Sequence, residues 1–227
     1  MPDSRFHYDF SNFIPDFEGS YKCVEKIRSM EVYRQAKLLF ITPDNCLEKL
    51  REWSIRDGKT YIMATYGIAR GFILMKPEYV REEDLEFSST LDGAERFSRR
   101  IGLREMAELG KIDLLVTGCS AVNLRGVRMG KGHGFFDIEW GIFSELGMVD
   151  DRTPIICVCH ECQVVDVDIP ASQWDTIVDY IVTPSRVISV NGPPKPKGIA
   201  WHLINPNLID EIPVLRELKE LKAVRSN

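Results

Sequence analysis

Short apolar runs alternate along the chain with stretches in which apolar side chains recur every three or four residues. The runs predict buried β-strands over residues 36–42, 60–64, 71–75, 112–117, 154–159 and 177–182. The helical spacing predicts helices over residues 19–35, 47–53, 94–109, 135–146 and 208–224, the last interrupted early by Pro213. This alternation favours an α/β fold with a largely parallel sheet that helices cover on both faces.

A parallel sheet also predicts where a ligand binds, because sites in such folds lie beyond the carboxyl ends of the strands. The loops at these ends follow Thr117, Cys159 and Val182. We therefore expect functional residues in these three loops.

The amino-terminal segment differs from the rest of the chain. Residues 1–18 are rich in aromatic side chains, which are Phe6, Tyr8, Phe10, Phe13 and Phe17. Aromatic residues at this density favour burial, so we predict an extended arm that lies on the body of the protein or on a partner subunit. The arm is the observation that suggests a homodimer. Residues 19–227 show no internal repeat and no sharp change of composition, which indicates a single α/β domain.

Composition narrows the classes of function. The 227 residues include 29 Lys and Arg and 34 Asp and Glu, which gives a net charge of −5. This balance argues against a dedicated nucleic-acid binder, because binding to a phosphate backbone needs a basic surface. No stretch approaches the roughly 18–20 apolar residues of a membrane span. The amino terminus lacks the pattern of a secretory signal, so we expect a cytoplasmic protein with no membrane partner and with reduced cysteines.

The strongest chemical signal is a glycine-rich loop ahead of the helix predicted at 135–146. Its candidate ligand-binding residues are Gly126, Arg128, Gly130, Lys131, Gly132, His133 and Gly134. Glycines let backbone N–H groups face a ligand, a helix N-terminus adds partial positive charge, and Arg and Lys supply full charges. The loop therefore predicts an anion site, best suited to nucleotide phosphates. Its spacing matches neither the Walker A loop nor the dinucleotide fingerprint, and a flexible surface loop with incidental charges is the alternative.

Two further strand ends carry candidate residues. His160 and Glu161 follow the strand at 154–159, where they could form an acid/base pair or simply cap the end of the strand. Thr183 and Arg186 follow the strand at 177–182, and Arg186 could meet an anion or lie at the surface.

Three cysteines, Cys157, Cys159 and Cys162, fall within six residues and invite a zinc interpretation. Structural zinc usually needs a second pair of ligands, for which only Cys119 and His133 are available. Alternation along a strand places Cys157 and Cys159 on one face. We therefore favour buried or pocket-lining thiols over a metal site.

The run from Arg128 to Asp137 resembles the Arg-x-Gly-x-Gly-x-Gly-Tyr-Tyr-Asp signature of the 5-formyltetrahydrofolate cyclo-ligase (methenyltetrahydrofolate synthetase) family. The resemblance extends to residues 113–118, 154–166 and 178–184. Residues 14–19 and 195–201 are similar to a divergent subgroup, the methenyltetrahydrofolate synthase domain-containing proteins. The likeness is strong over residues 112–201 and looser before them.

The resemblance implies a three-layer α/β fold of the NagB/RpiA/CoA-transferase type. It also implies an ATP- and Mg²⁺-dependent enzyme that converts 5-formyltetrahydrofolate, or a related pterin, to the 5,10-methenyl form. In the implied reaction the N5-formyl oxygen is phosphorylated, N10 attacks, and phosphate leaves as the ring closes.

The same resemblance implies roles for individual residues. ATP phosphates would be held by Arg128, Gly130, Lys131, Gly132 and Gly134. The candidate catalytic residues are Arg128 and Asp137, to which the position at a strand end adds His160 and Glu161. Asp137 is also the candidate for an orienting or Mg²⁺-water role. The candidate substrate contacts are Phe135 and Phe136, which occupy the positions of a tyrosine pair, and Cys119, which is added because it follows a strand end.

Three differences from the family pattern favour other functions. Asn123 stands where the family has a carboxylate suited to Mg²⁺, and Phe135 and Phe136 lack the hydroxyl groups of the tyrosine pair. The family's opening helix, whose Lys and Arg reach the phosphates, has no counterpart ahead of Phe6. One alternative is therefore a nucleotide- or anion-binding paralogue without cyclo-ligase activity. Another is an enzyme of the same fold that acts on a different phosphorylated substrate through His160 and Glu161.

Overall fold

The structure is a computed structural model that describes residues 12–225, the last two without their side chains. Its strands are β1 (Leu38–Ile41), β2 (Thr60–Ala64), β3 (Phe72–Met75), β4 (Arg99–Ile101), β5 (Leu114–Gly118), β6 (Ala121–Asn123), β7 (Arg128–Met129), β8 (Ile155–Val158), β9 (Val164–Val165), β10 (Tyr180–Val182) and β11 (Val187–Ser189). Its helices are α1 (Ser20–Ser29), α2 (Glu31–Gln35), α3 (Glu48–Arg56), α4 (Leu85–Ser88), α5 (Leu91–Phe97), α6 (Leu103–Glu108), α7 (Phe135–Glu145), α8 (Pro206–Glu211) and α9 (Pro213–Arg225). Across the described range, none of these helices has the length and apolar character needed to cross a membrane.

The main sheet has eight strands in the order β11-β10-β8-β5-β1-β2-β3-β4. The five central strands, from β10 to β2, are all parallel. Antiparallel strands are added at both edges, β11 on one side and β3 and β4 on the other. The predicted, largely parallel sheet is therefore confirmed. A second, three-stranded sheet in the order β7-β6-β9 lies at the glycine-rich loop.

Helices cover both faces of the main sheet and make the predicted three layers. Along β1, Leu38 and Phe40 face one apolar cluster, whereas Leu39 and Ile41 face the other, because successive side chains of a strand point to opposite faces. Helices α6 to α9 pack on the face of Phe40, and helices α1 to α5 pack on the face of Leu39. Both faces of the central strands are thus buried, as a parallel sheet requires.

Two long helices of the sequence-based prediction are interrupted in the structure. The predicted helix 19–35 breaks at the extended residue Met30 into α1 and α2. Residues 94–109 do not form one helix: α5 ends at Phe97, Ser98 is extended, and β4 follows at the sheet edge before α6 begins. In β4 the side chains of Arg99 and Arg100 are exposed and only Ile101 is buried. A strand this short and polar leaves no recognisable alternation in the sequence.

The described part of the arm packs on the body of the protein. Phe13 and Ile14 are buried, and Phe17 packs against the apolar cluster under α1. The predicted burial of Phe6, Tyr8 and Phe10 lies outside the described residues.

A buried guanidinium organises the end of β1. Arg51, on α3, is fully buried and donates hydrogen bonds to three backbone carbonyls. Its Nε lies 2.8 Å from Ser89 O, and its Nη1 lies 2.9 Å from Thr42 O and 3.1 Å from Asp44 O. The turn at Thr42–Asp44, directly after β1, is therefore held from inside the helix layer.

We expect Arg51→Met to lower the free energy of unfolding by about 2–4 kcal/mol, because three buried carbonyls lose their donor. Urea denaturation measures the change. Arg34→Met is the matched control, since Arg34 is exposed and pairs only with its helix neighbour Glu31, and surface pairs of this kind contribute little. Equal effects of the two substitutions would contradict the role given to Arg51.

Candidate active site

A cavity of about 460 Å³ lies at the carboxyl edge of the main sheet. It opens beyond the ends of β1, β2 and β5, which contribute Thr42, Pro43, Asp44, Thr65, Tyr66, Gly67, Thr117 and Gly118. The glycine-rich loop and the start of α7 form the facing wall with residues 128–137 and Glu139. Of the three strand ends expected to carry function, the one at Thr117 therefore borders this cavity.

The backbone of the glycine-rich loop is open toward the cavity. Gly132 and Gly134 have positive φ angles of 86° and 67°, a conformation that favours glycine. A Cβ atom at either position would meet no atom within 4 Å. The first hydrogen bond of α7 runs from Ile138 N to Gly134 O, so the N–H groups of residues 135–137 have no partner within the helix. A glycine turn and a helix N-terminus thus border the same cavity.

Arg128 is fixed at the base of this wall. Its Nη2 lies 3.0 Å from Asp137 Oδ1, and its guanidinium carbon lies 4.3 Å from the ring centre of Phe136. The same Oδ1 accepts a hydrogen bond of 2.9 Å from Thr176 N. The Nε of Arg128 is buried and has no hydrogen-bond partner among residues 12–225. Arg128 is therefore held in place while one of its donors stays unsatisfied.

Lys131 joins the loop to the described end of the arm. Its Nζ donates to Asn12 O over 3.3 Å and lies 5.0 Å from the ring centre of Tyr66. The hydroxyl of Tyr66 donates to the same carbonyl over 3.0 Å. The second cation of the loop thus lies beside Tyr66, just beyond the end of β2.

Glu139 is a buried acid without a partner. Its side chain is 3% exposed, it lines the cavity, and it accepts no hydrogen bond from any residue between 12 and 225. Burial raises the pKa of this carboxyl well above its usual value, and the negative charges of Asp44 and Asp137 add to the shift, although Arg128 and Lys131 oppose it. The protonated form is therefore favoured, and a protonated carboxyl can both donate and accept a hydrogen bond.

Asp44 connects two strand ends at the floor of the cavity. Its Oδ2 accepts hydrogen bonds from Thr42 Oγ1 over 2.5 Å and from Gly118 N over 2.8 Å. These bonds join the turn after β1 to the last residue of β5. The carboxylate is thereby held at the floor that these two strand ends form.

The structure places Glu161, Thr183 and Arg186 together, but none of them lines the cavity. Glu161 accepts hydrogen bonds from the hydroxyls of Thr183 and Ser185 and from Arg186, whose Nη2 lies 3.2 Å away. The hydroxyl donors and the guanidinium lower the pKa of the Glu161 carboxyl. This residue therefore connects the loops after β8 and β10.

His160 lies at the same strand end and also outside the cavity lining. Its Nδ1 accepts a hydrogen bond of 3.3 Å from Cys162 N, and its own N–H donates to Gln163 Oε1 over 2.7 Å. These reciprocal bonds cap the turn Glu161–Gln163. They favour the interpretation of a capped strand end over that of an acid/base pair.

Two other candidates lie away from the cavity. Gly126 sits in the turn between β6 and β7, where a Cβ atom would come within 2.6 Å of Val178 O, so its role there is close packing. Cys119 is fully buried beside Cys157 and Cys159. Hydrogen bonds from Cys119 and Cys157 hold the pKa of the Cys159 thiol well below its usual range.

A profile of the 5-formyltetrahydrofolate cyclo-ligase family matches residues 9–184, a span that includes the strand ends, the glycine-rich loop and α7. The chain belongs to this family. Its resemblance to a methenyltetrahydrofolate synthase domain-containing protein of Homo sapiens reaches 34% identity over 210 residues, which cover 91% of this chain and 54% of that protein. The corresponding protein of Danio rerio is 32% identical over 223 residues, 96% of this chain and 58% of that protein.

A shorter part of the chain is similar to a bacterial cyclo-ligase. The 5-formyltetrahydrofolate cyclo-ligase of Escherichia coli (strain K12) is 30% identical over 88 residues, 39% of this chain and 45% of that enzyme. The chain spans little more than half the length of the two domain-containing relatives. An NMR structure of the Aquifex aeolicus 5,10-methenyltetrahydrofolate synthetase covers 81% of this chain and 87% of its own with a TM-score of 0.50 at 19% identity, which supports the cyclo-ligase fold.

Sequence reasoning missed two acids that line this cavity, Asp44 and Glu139. Neither is among the residues that the sequence predicts for the site, and Glu139 lies between the apolar residues of α7. A signal for Glu139 does exist, because a charged residue in the apolar face of a buried helix is rarely left there without a partner. No local signal marks Asp44, because its neighbours Thr42 and Gly118 are brought together only by the sheet.

We expect Glu139→Gln to become more stable than the wild type as pH rises. The folded protein keeps the Glu139 proton to a higher pH than the unfolded chain, so stability is lost as pH rises above the ordinary carboxyl pKa of 4.5. The neutral glutamine avoids this loss, and the advantage grows by about 1.4 kcal/mol for each pH unit up to the folded pKa. Urea unfolding across a series of pH values measures it.

Glu145→Gln, on the same helix, is the matched control with the opposite sign. Burial opposes ionisation of Glu145, but Lys222, Ile199 N and Trp201 Nε1 bond its carboxylate and hold its pKa below the usual value. This substitution is expected to destabilise the protein at neutral pH, and the difference should vanish as pH falls through the Glu145 pKa. The same pH dependence for both variants would contradict a protonated Glu139.

Proposed function

We propose that the chain is an ATP-dependent 5-formyltetrahydrofolate cyclo-ligase-like enzyme that converts 5-formyltetrahydrofolate, or a related pterin, to the 5,10-methenyl form. The observation that carries this proposal is the position of the cationic glycine-rich loop and the α7 N-terminus on one wall of the cavity at the strand ends. Membership of the family supports the class of reaction. The activity of the whole protein belongs to the proposal, because the curated domain-containing relatives are almost twice as long as the matched region.

The residues of the loop fit a polyphosphate. Arg128 and Lys131 supply two full positive charges, and the buried Nε of Arg128 lacks a hydrogen-bond partner within the described part of the chain. The backbone at Gly132 and Gly134 is unobstructed. The N–H groups at the start of α7, which have no partner within the helix, add donors with partial positive charge. These groups would hold the phosphates of ATP, which when bound supplies the phosphoryl group that activates the formyl oxygen for ring closure.

Mg²⁺ fits this site only together with the nucleotide. Within the described residues, the cavity carboxylates do not bring three ligand oxygens within 4.8 Å of one another. Mg²⁺ commonly uses one or two carboxylates with the phosphates of its substrate and several waters. Asp137 suits such a role through Oδ2, since Oδ1 already accepts hydrogen bonds from Arg128 and Thr176.

The part of the cavity around Glu139 suits a flat heterocycle. Phe135 and Phe136 offer apolar surface at the start of α7, and the ring of His133 lies 5.3 Å from that of Phe135. Glu139, in its protonated form, would donate a hydrogen bond to a ring nitrogen or carbonyl and accept another from an adjacent N–H. A pterin ring presents such donor and acceptor groups side by side.

One observation favours a second candidate function, binding of nucleotides or anions without ring closure. Asn123, at the position of the family's carboxylate, is buried and outside the cavity lining. Its Oδ1 accepts hydrogen bonds from Arg125 N and Val127 N, so it serves the turn between β6 and β7. A chain that keeps the phosphate loop without this carboxylate could retain binding and lose catalysis.

We expect the purified protein to form the methenyl product, followed by its near-ultraviolet absorbance, when given ATP, Mg²⁺ and 5-formyltetrahydrofolate. Lys131→Ala should weaken ATP binding about 10- to 100-fold, because a charge-assisted hydrogen bond contributes about 1.5–3 kcal/mol. Isothermal calorimetry with ATP measures this change.

Lys111→Ala is the matched control, because Lys111 is exposed and its Nζ lies 3.5 Å from Asp150, outside the cavity lining. Its ATP affinity should equal that of the wild type. ATP binding without product would favour the second candidate function. A wild type that binds no ATP would contradict both.

A further inference from the structure

Three buried cysteines meet where β5 and β8 end. Cys119 directly follows β5, Cys157 lies in β8, and Cys159 directly follows β8. In this parallel pair Thr117 lies opposite Cys157, so Cys119 comes level with Cys159. Alternation turns the side chains of Cys157 and Cys159 to the same face. As a result, the three Sγ atoms lie within 4.8 Å of one another.

This thiol cluster, formed by Cys119, Cys157 and Cys159, is closed to solvent. All three side chains are 0% exposed. They pack in the apolar layer that also contains Phe136 and Trp140 of α7. Water therefore does not compete for the sulfur atoms, and an ion bound there would be shielded from exchange.

The separation of the sulfur atoms suits coordination of one ion. Metal–thiolate bonds of about 2.3 Å place sulfur atoms about 3.8–4.0 Å apart in tetrahedral or trigonal geometry. Sulfur atoms that already lie within 4.8 Å of one another need only small side-chain shifts to reach that spacing. Three independent thiols on two fixed strands thus form a nearly complete ligand set.

The ligand set favours a soft ion of low coordination number. Thiolates select Cu(I) and Zn²⁺ over hard cations such as Mg²⁺. Structural Zn²⁺ is almost always bound by four ligands, yet no histidine or carboxylate of residues 12–223 joins the three sulfur atoms within the same 4.8 Å. The Nδ1 of His160 is occupied by the amide of Cys162. Three thiolates without a fourth ligand suit Cu(I) better than Zn²⁺.

We propose that the thiol cluster binds one Cu(I) ion through three thiolates, each thiol losing its proton as its sulfur–copper bond forms. This site is separate from the cavity of the proposed cyclo-ligase reaction.

The test is a titration of the reduced, full chain with Cu(I) under anaerobic conditions, in competition with the chromophoric chelator bathocuproine disulfonate. The wild type is expected to withdraw one equivalent of Cu(I) from the chelator. The triple variant Cys119→Ser, Cys157→Ser, Cys159→Ser is expected to withdraw none. Circular dichroism and a thermal melt establish that each protein is folded.

Two matched controls separate the cluster from other thiols. Cys162→Ser removes the exposed thiol, and Cys46→Ser removes a buried thiol in the apolar layer on the other side of the sheet. Both are expected to keep the full equivalent. If the triple variant does not fold, the copper K-edge spectrum of the loaded wild type decides the question, and a shell of three sulfur atoms is the expected result.

Several outcomes would overturn the proposal. The first is that the folded, reduced wild type takes up no Cu(I). The second is full uptake by a folded triple variant, and the third is loss of uptake in Cys162→Ser. Tight binding of Zn²⁺ at the same thiols with no uptake of Cu(I) would overturn the identity of the ion. None of these readouts depends on cyclo-ligase activity, so the result stands apart from the proposed function.

Discussion

The guanidinium of Arg51 holds the turn at the end of β1, and the shape of the cavity depends on that turn. A charge buried without a carboxylate partner is costly, because solvation by water is lost. Here three backbone carbonyls replace much of that solvation. The arrangement leaves the carboxylate of Asp44 free to face the other way, where it bonds Thr42 and the N–H of Gly118. Arg51 of α3 thus helps to fix the ends of the two central strands β1 and β5.

The charged side chains that line the cavity differ in how their charges are compensated. Its cations are Arg128 and Lys131, and its acids are Asp44, Asp137, Glu139 and Asp175. Asp137 is paired with Arg128, and Asp44 is held by donors from two strand ends. Glu139 is buried near these carboxylates and accepts no hydrogen bond from the described residues. Its protonated form is therefore favoured, because ionisation would leave a buried charge without compensation. The net charge of −5 therefore does not reveal that the cationic glycine-rich loop lies beside the acid Glu139, for which the protonated form is favoured.

The fold was predictable from the sequence where burial is complete and was not predictable where elements are short and polar. The strands β2 and β5 are buried on both faces, and the sequence shows them as short, mainly apolar runs. The edge strand β4 and the turn of β6 and β7 have two or three residues each and give no such run. In the site, the loop from Arg128 to Gly134 was identified because glycine and charge occur together locally. Asp44 and Glu139 could not be identified in that way, since what makes them functional candidates is their position relative to distant strands.

The end of β5 borders both proposed sites with adjacent residues. Thr117 and Gly118 line the cavity, and the Gly118 N–H is held by Asp44. The next residue, Cys119, lies in the apolar layer beneath α7, where it meets Cys157 and Cys159. A ligand in the cavity and an ion at the thiols would therefore order the same few residues from opposite sides. Because any species that binds only the folded state stabilises it, occupation of either place would favour the backbone arrangement that the other requires.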